Sequence, residues 1–320
     1  MLPQQPGVPR EPGVPEDPHT LPALQASQAP GARKTLQALL ELYPAPPAEA
    51  TQPLLAAAIK SAKAVLALAE RKSDTILLRA GAGDHGMLLV LKVYDEAHPG
   101  QGGSVGRAGR EADALLRLAQ AGVCVPGLIA SGERALLRRY VEGPIVRDLH
   151  WDVALARQLA EWVFRCHAAL AVDMVDTAET AGADAHGLGR SWLVGDMNLG
   201  NFVLDVASGR LCGIDLGDTR VGDPMDDVGE GCMRIIGRRP GFTADRWECA
   251  VAFASCYGRL AGSVEYVLSE VPMRASASFR QMAVWRSDPF MAEVADVFPF
   301  LWDEALLSWA RAKQQEPSGR

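Results

Sequence analysis

Two stretches decide how this chain reads: Leu193-Val-Gly-Asp-Met-Asn-Leu-Gly-Asn-Phe-Val-Leu204 and, a few residues on, Gly213-Ile-Asp-Leu-Gly-Asp218. Between short apolar runs they place Asp196 on a loop, Asn201 five residues later and Asp215 fourteen residues after that. Taken singly, Asp and Asn fill turns between short strands. In this order and spacing they match what phosphoryl transfer requires. An acceptor hydroxyl needs a carboxylate nearby to take its proton, and a polyphosphate needs Mg²⁺, a hard cation that prefers carboxylate and amide oxygens. The pattern predicts Asp196 as the base and Asn201 and Asp215 as metal ligands.

On the N-terminal side the pattern is mostly strand-like from Leu54 to Val141. Thr75–Arg79 and Met87–Tyr94 are short runs rich in leucine and valine, flanked by glycine, which favours strands over buried helix. Arg107–Ala121 carries Ala108, Ala112, Leu115, Leu116 and Ala119 at helical spacing. Val125–Ala130 and Ala135–Val141 read as a second hairpin turning at Ser131–Gly132–Glu133. Asp152 is the expected N-cap of a helix running to about Leu170. Ala171–Gly189 is polar and reads as a loop. Trp192–Val194, Phe202–Leu204 and Leu211–Ile214 are short strand candidates. Beyond Asp223 the expectation is helical, with Ala244–Leu268 as one helix and Phe290–Ala312 as another, interrupted at Pro299.

Gly195-Asp196 with Asn201, continued by Gly222-Asp-Pro-Met-Asp-Asp227, resembles the aminoglycoside phosphotransferase and choline kinase branch of the protein-kinase-like superfamily. That family's loop reads roughly His-Gly-Asp-x-x-x-x-Asn, and its metal-binding segment continues into Gly-Asp-Pro-x-x-Asp. The likeness spans about Leu88 to Asp227, and the C-terminal helices agree only in type. Val194 departs from it, standing where the family usually has a packing and loop-holding His. The resemblance implies an α+β, bilobal protein-kinase-like fold, with a small antiparallel-sheet lobe carrying one helix and a larger helical lobe. It implies an ATP- and Mg²⁺-dependent phosphotransferase acting on a small-molecule hydroxyl, with Asp227 as the structural acid tying the segment to the next helix.

Such a fold needs a strand lysine at the nucleotide phosphates and a helical glutamate to orient it. Lys92, between Leu91 and Val93, and Glu111, 19 residues on, are placed for these roles. Read alone, a lysine in that setting is more often an outward surface charge. Ala135-Leu-Leu-Arg-Arg-Tyr-Val-Glu-Gly143 resembles the family's strand and hinge, so adenine is expected against the backbone of Arg139, Tyr140 and Val141. The Ala171–Gly189 loop favours a small-molecule acceptor over a protein substrate. An atypical Ser/Thr protein kinase and a nucleotide-binding pseudokinase stay open as alternatives.

Other motifs carry less. Gly81-Ala-Gly-Asp-His-Gly86 matches G-x-G-x-x-G by letters, but a strand follows it and Lys92 comes too soon, so it reads as a hairpin turn. A phosphate-covering loop fits better at Ser61–Ala64 or Glu70–Asp74. Gly102-Gly-Ser-Val-Gly106 lacks the buried strand a hydrolase elbow needs and reads as a flexible loop. The histidines show no metal spacing, and His167 reads as a residue near a helix end. Of the acids Asp215, Asp218, Asp223, Asp226, Asp227 and Glu230, those without an assigned role either face a cationic substrate or cap turns. Arg234, Arg238 and Arg239 read as a solvated helix end.

Composition sets the frame. The chain has 320 residues, 48% hydrophobic and 22% charged, with net charge −7. Twelve of its 21 prolines fall in the first 53 residues, and Pro3 to Pro18 recur every third position, the repeat of polyproline II. The expected organisation is a disordered tail over 1–53, in which Leu36, Leu39, Leu40 and Tyr43 allow a short amphipathic helix. A nucleotide-binding lobe follows over 54–141, then a catalytic and acceptor-binding lobe over 142–320. The tail is either inert or a ligand for proline-binding modules. No apolar run reaches the roughly 18 residues of a membrane span, no secretory signal is evident, and six scattered cysteines without a CxxC pair fit a reducing, cytoplasmic setting. The acidic balance argues against nucleic acid as a partner.

Overall fold

The computed structural model describes residues 63–69, 73–80, 86–94, 104–172 and 189–315. The tail, most of the 171–189 loop and positions 81–85 of the glycine-rich turn lie outside the described residues, as do 70–72 of the candidate phosphate-covering segment.

The first part is an antiparallel sheet of β1 (Lys63–Ala69), β2 (Ser73–Ala80), β3 (Met87–Tyr94), β4 (Leu128–Ser131) and β5 (Ala135–Arg139), ordered β1-β2-β3-β5-β4. Helix α1 (Ser104–Gln120) is inserted between β3 and β4. Strand periodicity sorts the side chains. Leu89 and Leu91 of β3 join Ile76, Leu78, Ala135 and Leu137 in one cluster. Tyr94 packs instead with Ala108 of α1 and Leu136. Lys92 shares the parity of Tyr94, so it lies on the face that α1 covers and is buried. Lys63 and Ala64 belong to β1, not to a phosphate-covering loop, and Ser104–Gly106 form the first turn of α1 rather than a flexible loop.

Beyond β5 a 3-10 turn (Val146–Asp148) leads into α2 (Val153–Ala169). Asp152 caps α2 as expected, its carboxylate accepting from Leu155 N–H at 2.8 Å. Asp152→Ala should cost about 1 kcal/mol of stability, read by urea denaturation, because it strands one amide of the first helical turn. Two short ribbons follow: β6 (Ser191–Leu193) with β9 (Arg220–Gly222), and β7 (Phe202–Leu204) with β8 (Leu211–Gly213). Helices α3 (Pro224–Ile236), α4 (Ala244–Leu260), α5 (Val264–Arg286) and α6 (Pro289–Gln315) complete the chain. Their apolar faces merge with α2 into one core, into which Leu115 and Leu118 of α1 also reach. Helix α1 thus packs against Tyr94 and Leu136 of the sheet on one side and the helical core on the other.

Three expectations need correction. The single helix Ala244–Leu268 is two, broken at Ala261–Ser263, where Gly262 adopts φ +72°, a conformation glycine takes without strain. The second of these, α5, continues through Pro272 to Arg286, well past the expected end at Leu268. Pro299 does not interrupt α6. Proline removes one helical hydrogen bond, and the buried stripe Val294, Ala295, Phe298 and Trp302 on either side outweighs that loss. No helix of the described residues is long and apolar enough to cross a membrane.

Candidate active site

The loop between β6 and β7 carries Asp196 and is fixed from below by one buried carboxylate. Asp227, in the first turn of α3, accepts from Val194 N–H at 2.6 Å and Gly195 N–H at 3.1 Å. It also meets His167 Nε2 at 3.0 Å, while His167 Nδ1 lies 2.8 Å from the Tyr257 hydroxyl. With Nε2–H donated to Asp227, Nδ1 is left to accept from Tyr257. Burial, then the nearby Asp227 charge, pushes the Tyr257 phenol well up, so it remains a donor. Gly195 has φ +79°, and a Cβ there would meet the Asp218 carbonyl at 2.1 Å, so this corner admits only glycine. Val194 itself is buried and apolar. The imidazole that holds this loop comes from α2, so His167 is more than a helix-end residue.

Asp196 is bounded on its other side. Its Oδ1 accepts from Asn198 N–H at 3.1 Å and from Arg234 Nη2 at 3.1 Å, and its carbonyl accepts from Asn201 Nδ2 at 3.2 Å. Arg234 is gripped by Glu230 through Nε at 3.0 Å and Nη2 at 2.7 Å. Burial raises the Glu230 pKa, with Arg234 opposing. Arg234 is therefore not part of a solvated helix end. It is largely buried against the carboxylate on which the proposed chemistry depends.

Across the cleft, Lys92 Nζ lies 3.1 Å from Glu111 Oε2 and 2.7 Å from Asp215 Oδ1. It also sits 5.0 Å from the Tyr94 ring centroid, and the Tyr94 hydroxyl bonds Glu111 Oε2. Lys92 is thus no outward surface charge. Burial works against its ammonium, but Glu111 and Asp215 more than offset this and raise its pKa. For Asp215, burial pushes upward, while Lys92 and the Gly217 N–H at 3.1 Å prevail and hold the carboxyl below its ordinary range. Glu111 is fully buried and burial prevails there, raising its pKa despite Lys92. One ammonium therefore joins β3, α1 and the segment after β8.

At the hinge, Arg139 N–H donates to Gly127 O at 2.9 Å and Tyr140 N–H to Leu88 O at 3.1 Å. Both amides are spent within the chain, and among the described residues the Val141 amide has no such partner. Each remaining acid of the 215–230 cluster meets an arginine. Asp218 pairs with Arg107 at 2.7 Å, and Asp226 with Arg274 at 2.8 Å. Asp223 pairs with the same Arg274 and caps α3, accepting from Met225 N–H at 2.9 Å. No uncompensated acidic surface for a cation results from these pairs.

The donor set fits a divalent cation held jointly with a polyphosphate. Asp215 is one-third exposed, and Asn201 donates once from its amide nitrogen to the Asp196 carbonyl, which leaves its amide oxygen as the acceptor atom. Among the described residues no group of three metal-binding side chains exists, so a protein-only cage is absent. That is how Mg²⁺ is usually held, by one or two protein oxygens plus phosphate and water.

A five-stranded sheet with one helix, set on a helical lobe with the Asp196 loop between them, is a bilobal α+β fold shared with solved kinase structures. Among the solved structures it resembles are small-molecule kinases. An amicoumacin kinase, hAmiN, in complex with AMP-PNP, Ca²⁺ and Ami, matches at a TM-score of 0.54 and 14% identity, over 85% of this chain and 93% of that one. An ethanolamine kinase from Plasmodium vivax matches at 0.53 and 10%, over 80% and 84%. A choline kinase from Cryptosporidium parvum Iowa II matches at 0.51 and 10%, over 80% and 90%. At such identities it is the fold that is shared. No protein-family model matches the sequence, and no curated protein does.

Proposed function

We propose that the chain is an ATP- and Mg²⁺-dependent phosphotransferase that moves the γ-phosphate of ATP to a hydroxyl of a small molecule. The observation that carries this reading is the Lys92 ammonium, bridging Glu111 and Asp215 opposite the loop that presents Asp196. In this reading Lys92, held by Glu111, binds the nucleotide phosphates, and adenine lies at the Arg139–Val141 hinge with the Val141 amide as donor. Asp196 accepts the acceptor's hydroxyl proton as the oxygen forms a bond to the γ-phosphorus. The bond from that phosphorus to the β–γ bridging oxygen breaks, and ADP leaves with its electron pair. Arg234 holds Asp196 in place, and Asp227 fixes the loop beneath it.

Mg²⁺ at Asn201 and Asp215 would supply charge neutralisation on the phosphates. Kinases that share the fold are named for choline, ethanolamine and amicoumacin, which supports a small-molecule acceptor.

The test is ADP release from Mg-ATP over a panel of aminoglycosides, amino alcohols, nucleosides and sugars. Release should depend on an acceptor and vanish with EDTA. Asp215→Asn should raise the Mg²⁺ needed for half-maximal rate. A protein that binds Mg-ATP but yields no ADP with any acceptor of the panel would instead be a nucleotide-binding module.

A further inference from the structure

A group of arginines beside the Asp196 loop has no role in the chemistry above. Arg246, in the first turn of α4, is 9% exposed, and its Nη1 is fully buried with no hydrogen-bond partner. No side-chain bond of Arg246 to any carboxylate exists among the described residues. Leaving a buried guanidinium nitrogen unpaired is costly, which marks it as waiting for an acceptor atom.

Arg238 lies within electrostatic reach of Arg246, and Arg147 within reach of Arg238. Arg238, just past the end of α3, donates from Nη1 to Leu149 O at 3.3 Å, which fixes it beside the 146–148 turn. Arg147 of that turn lies against the loop itself, its Nη1 3.5 Å from where a Cβ on Gly200 would sit. Burial first, then the like charges of Arg246 and Arg147, lower the Arg238 pKa, and Asp148 alone opposes them. Asp148 is already joined to Arg147 at 3.2 Å on the exposed side. Arg238 thus meets two like charges and one acid; on the Arg246 side, Asp152, Asp245 and Glu248 share the surroundings of Cys249 with it, and none of them bonds its side chain. The acids of α3 and its cap, by contrast, are matched: Glu230 by Arg234, Asp223 and Asp226 by Arg274, and Asp227 by His167 and the loop amides.

We infer that Arg147, Arg238 and Arg246 form an oxyanion site beside the Asp196 loop, and that the acceptor is a hydroxyl compound carrying a carboxylate or a phosphate monoester that docks there. Guanidinium groups suit both, since each offers paired oxygens to a fork of N–H donors. The acceptor half rests on the phosphotransferase reading; the anion site does not. Arg147 packs on Gly200, between Asp196 and Asn201 in the chain, and Arg238 follows Arg234, which touches Asp196.

Inorganic phosphate, with no nucleotide present, tests the site directly. Titration calorimetry should show saturable binding to the wild-type protein that is weakened on the order of tenfold or more in Arg246→Met and Arg238→Gln. Arg246→Lys, which keeps the charge, should retain part of it. Arg147→Gln, on an exposed side chain, serves if the buried variants fail to fold. Absence of saturable binding, or equal binding in all variants, overturns the site.

The acceptor half is read from KM. Hydroxy acids and sugar phosphates should have lower KM than their neutral counterparts, and that ratio should collapse towards one in Arg246→Met. Which of the two anions gains most identifies the source. Neutral and anionic acceptors used equally well would overturn this half. Saturable phosphate binding with no acceptor-dependent ADP release would instead sink the phosphotransferase reading and the acceptor half with it, while the anion site stands.

Discussion

Asp196→Asn is expected to lower kcat by about 10²- to 10⁴-fold, the usual contribution of a positioned general base, while ATP affinity and thermal stability change little. The expectation of intact folding comes from the bonds Asp196 makes. Asn201 binds its backbone carbonyl, not its side chain, and the loop amides at Val194 and Gly195 are held by Asp227. An asparagine keeps an oxygen at Oδ1 for Asn198 N–H and for Arg234, which Glu230 continues to hold. What is lost is a site basic enough to take the hydroxyl proton. Single-turnover rates at saturating acceptor, beside a calorimetric melt, separate the two effects. A kcat within tenfold of wild type would remove Asp196 as the base. A large fall in melting temperature would mean that its carboxylate mainly serves the fold.

The parts of the candidate site that could be read in the sequence are those whose placement follows from short-range order. Asp196, Asn201 and Asp215 are tied together by two tight strand-turn-strand passages, so spacing in the chain reports spacing in the molecule. Lys92 and Glu111 stand in a strand and in the next helix, and the parity of β3 that buries Lys92 is the same parity that buries Tyr94. The residues that escaped are those whose partners lie far along the chain.

Arg234 meets Asp196 across 38 positions, His167 meets Asp227 across 60 and Tyr257 across 90. Nothing local distinguishes an arginine on the buried side of a helix end from one in solvent, so Arg234 looked like a surface charge. The fold shows the same division. β3, α2 and β7 follow from strong local patterns and a cap, whereas the break at Gly262 and the passage of α6 through Pro299 are set by packing. For the same reason the acids near Asp227 could not be sorted beforehand. Arg274, which neutralises two of them, approaches from α5, about fifty residues away.

Asp227→Ala should show the opposite signature to Asp196→Asn, losing fold and activity together. Asp227 is 1% exposed and its two oxygens take hydrogen bonds from Val194 N–H, Gly195 N–H and His167. Alanine would leave three buried donors without acceptors, at about 1–3 kcal/mol each before relaxation. Water entering the space left by the carboxylate would recover part of this, so a net loss of about 3–5 kcal/mol is expected, in line with removal of one partner from a buried charged cluster. Set against the roughly 5–15 kcal/mol that folds a typical domain, this is enough to leave the protein marginal at 37 °C.

Urea denaturation reads the loss. Where Asp227→Ala does not purify folded, His167→Ala removes one of the three bonds and should show a smaller loss in the same direction. Asp227→Asn offers an amide that can accept on one side only and turns a donor towards one of the three, so it should fall between alanine and wild type. If Asp227→Ala keeps wild-type stability and loses only activity, the carboxylate acts on substrate and not on the loop. The two aspartates are both held through the short Val194–Asn201 segment, and the physical difference between them is burial. One is exposed enough to meet a hydroxyl, and the other is sealed beneath the backbone that presents it.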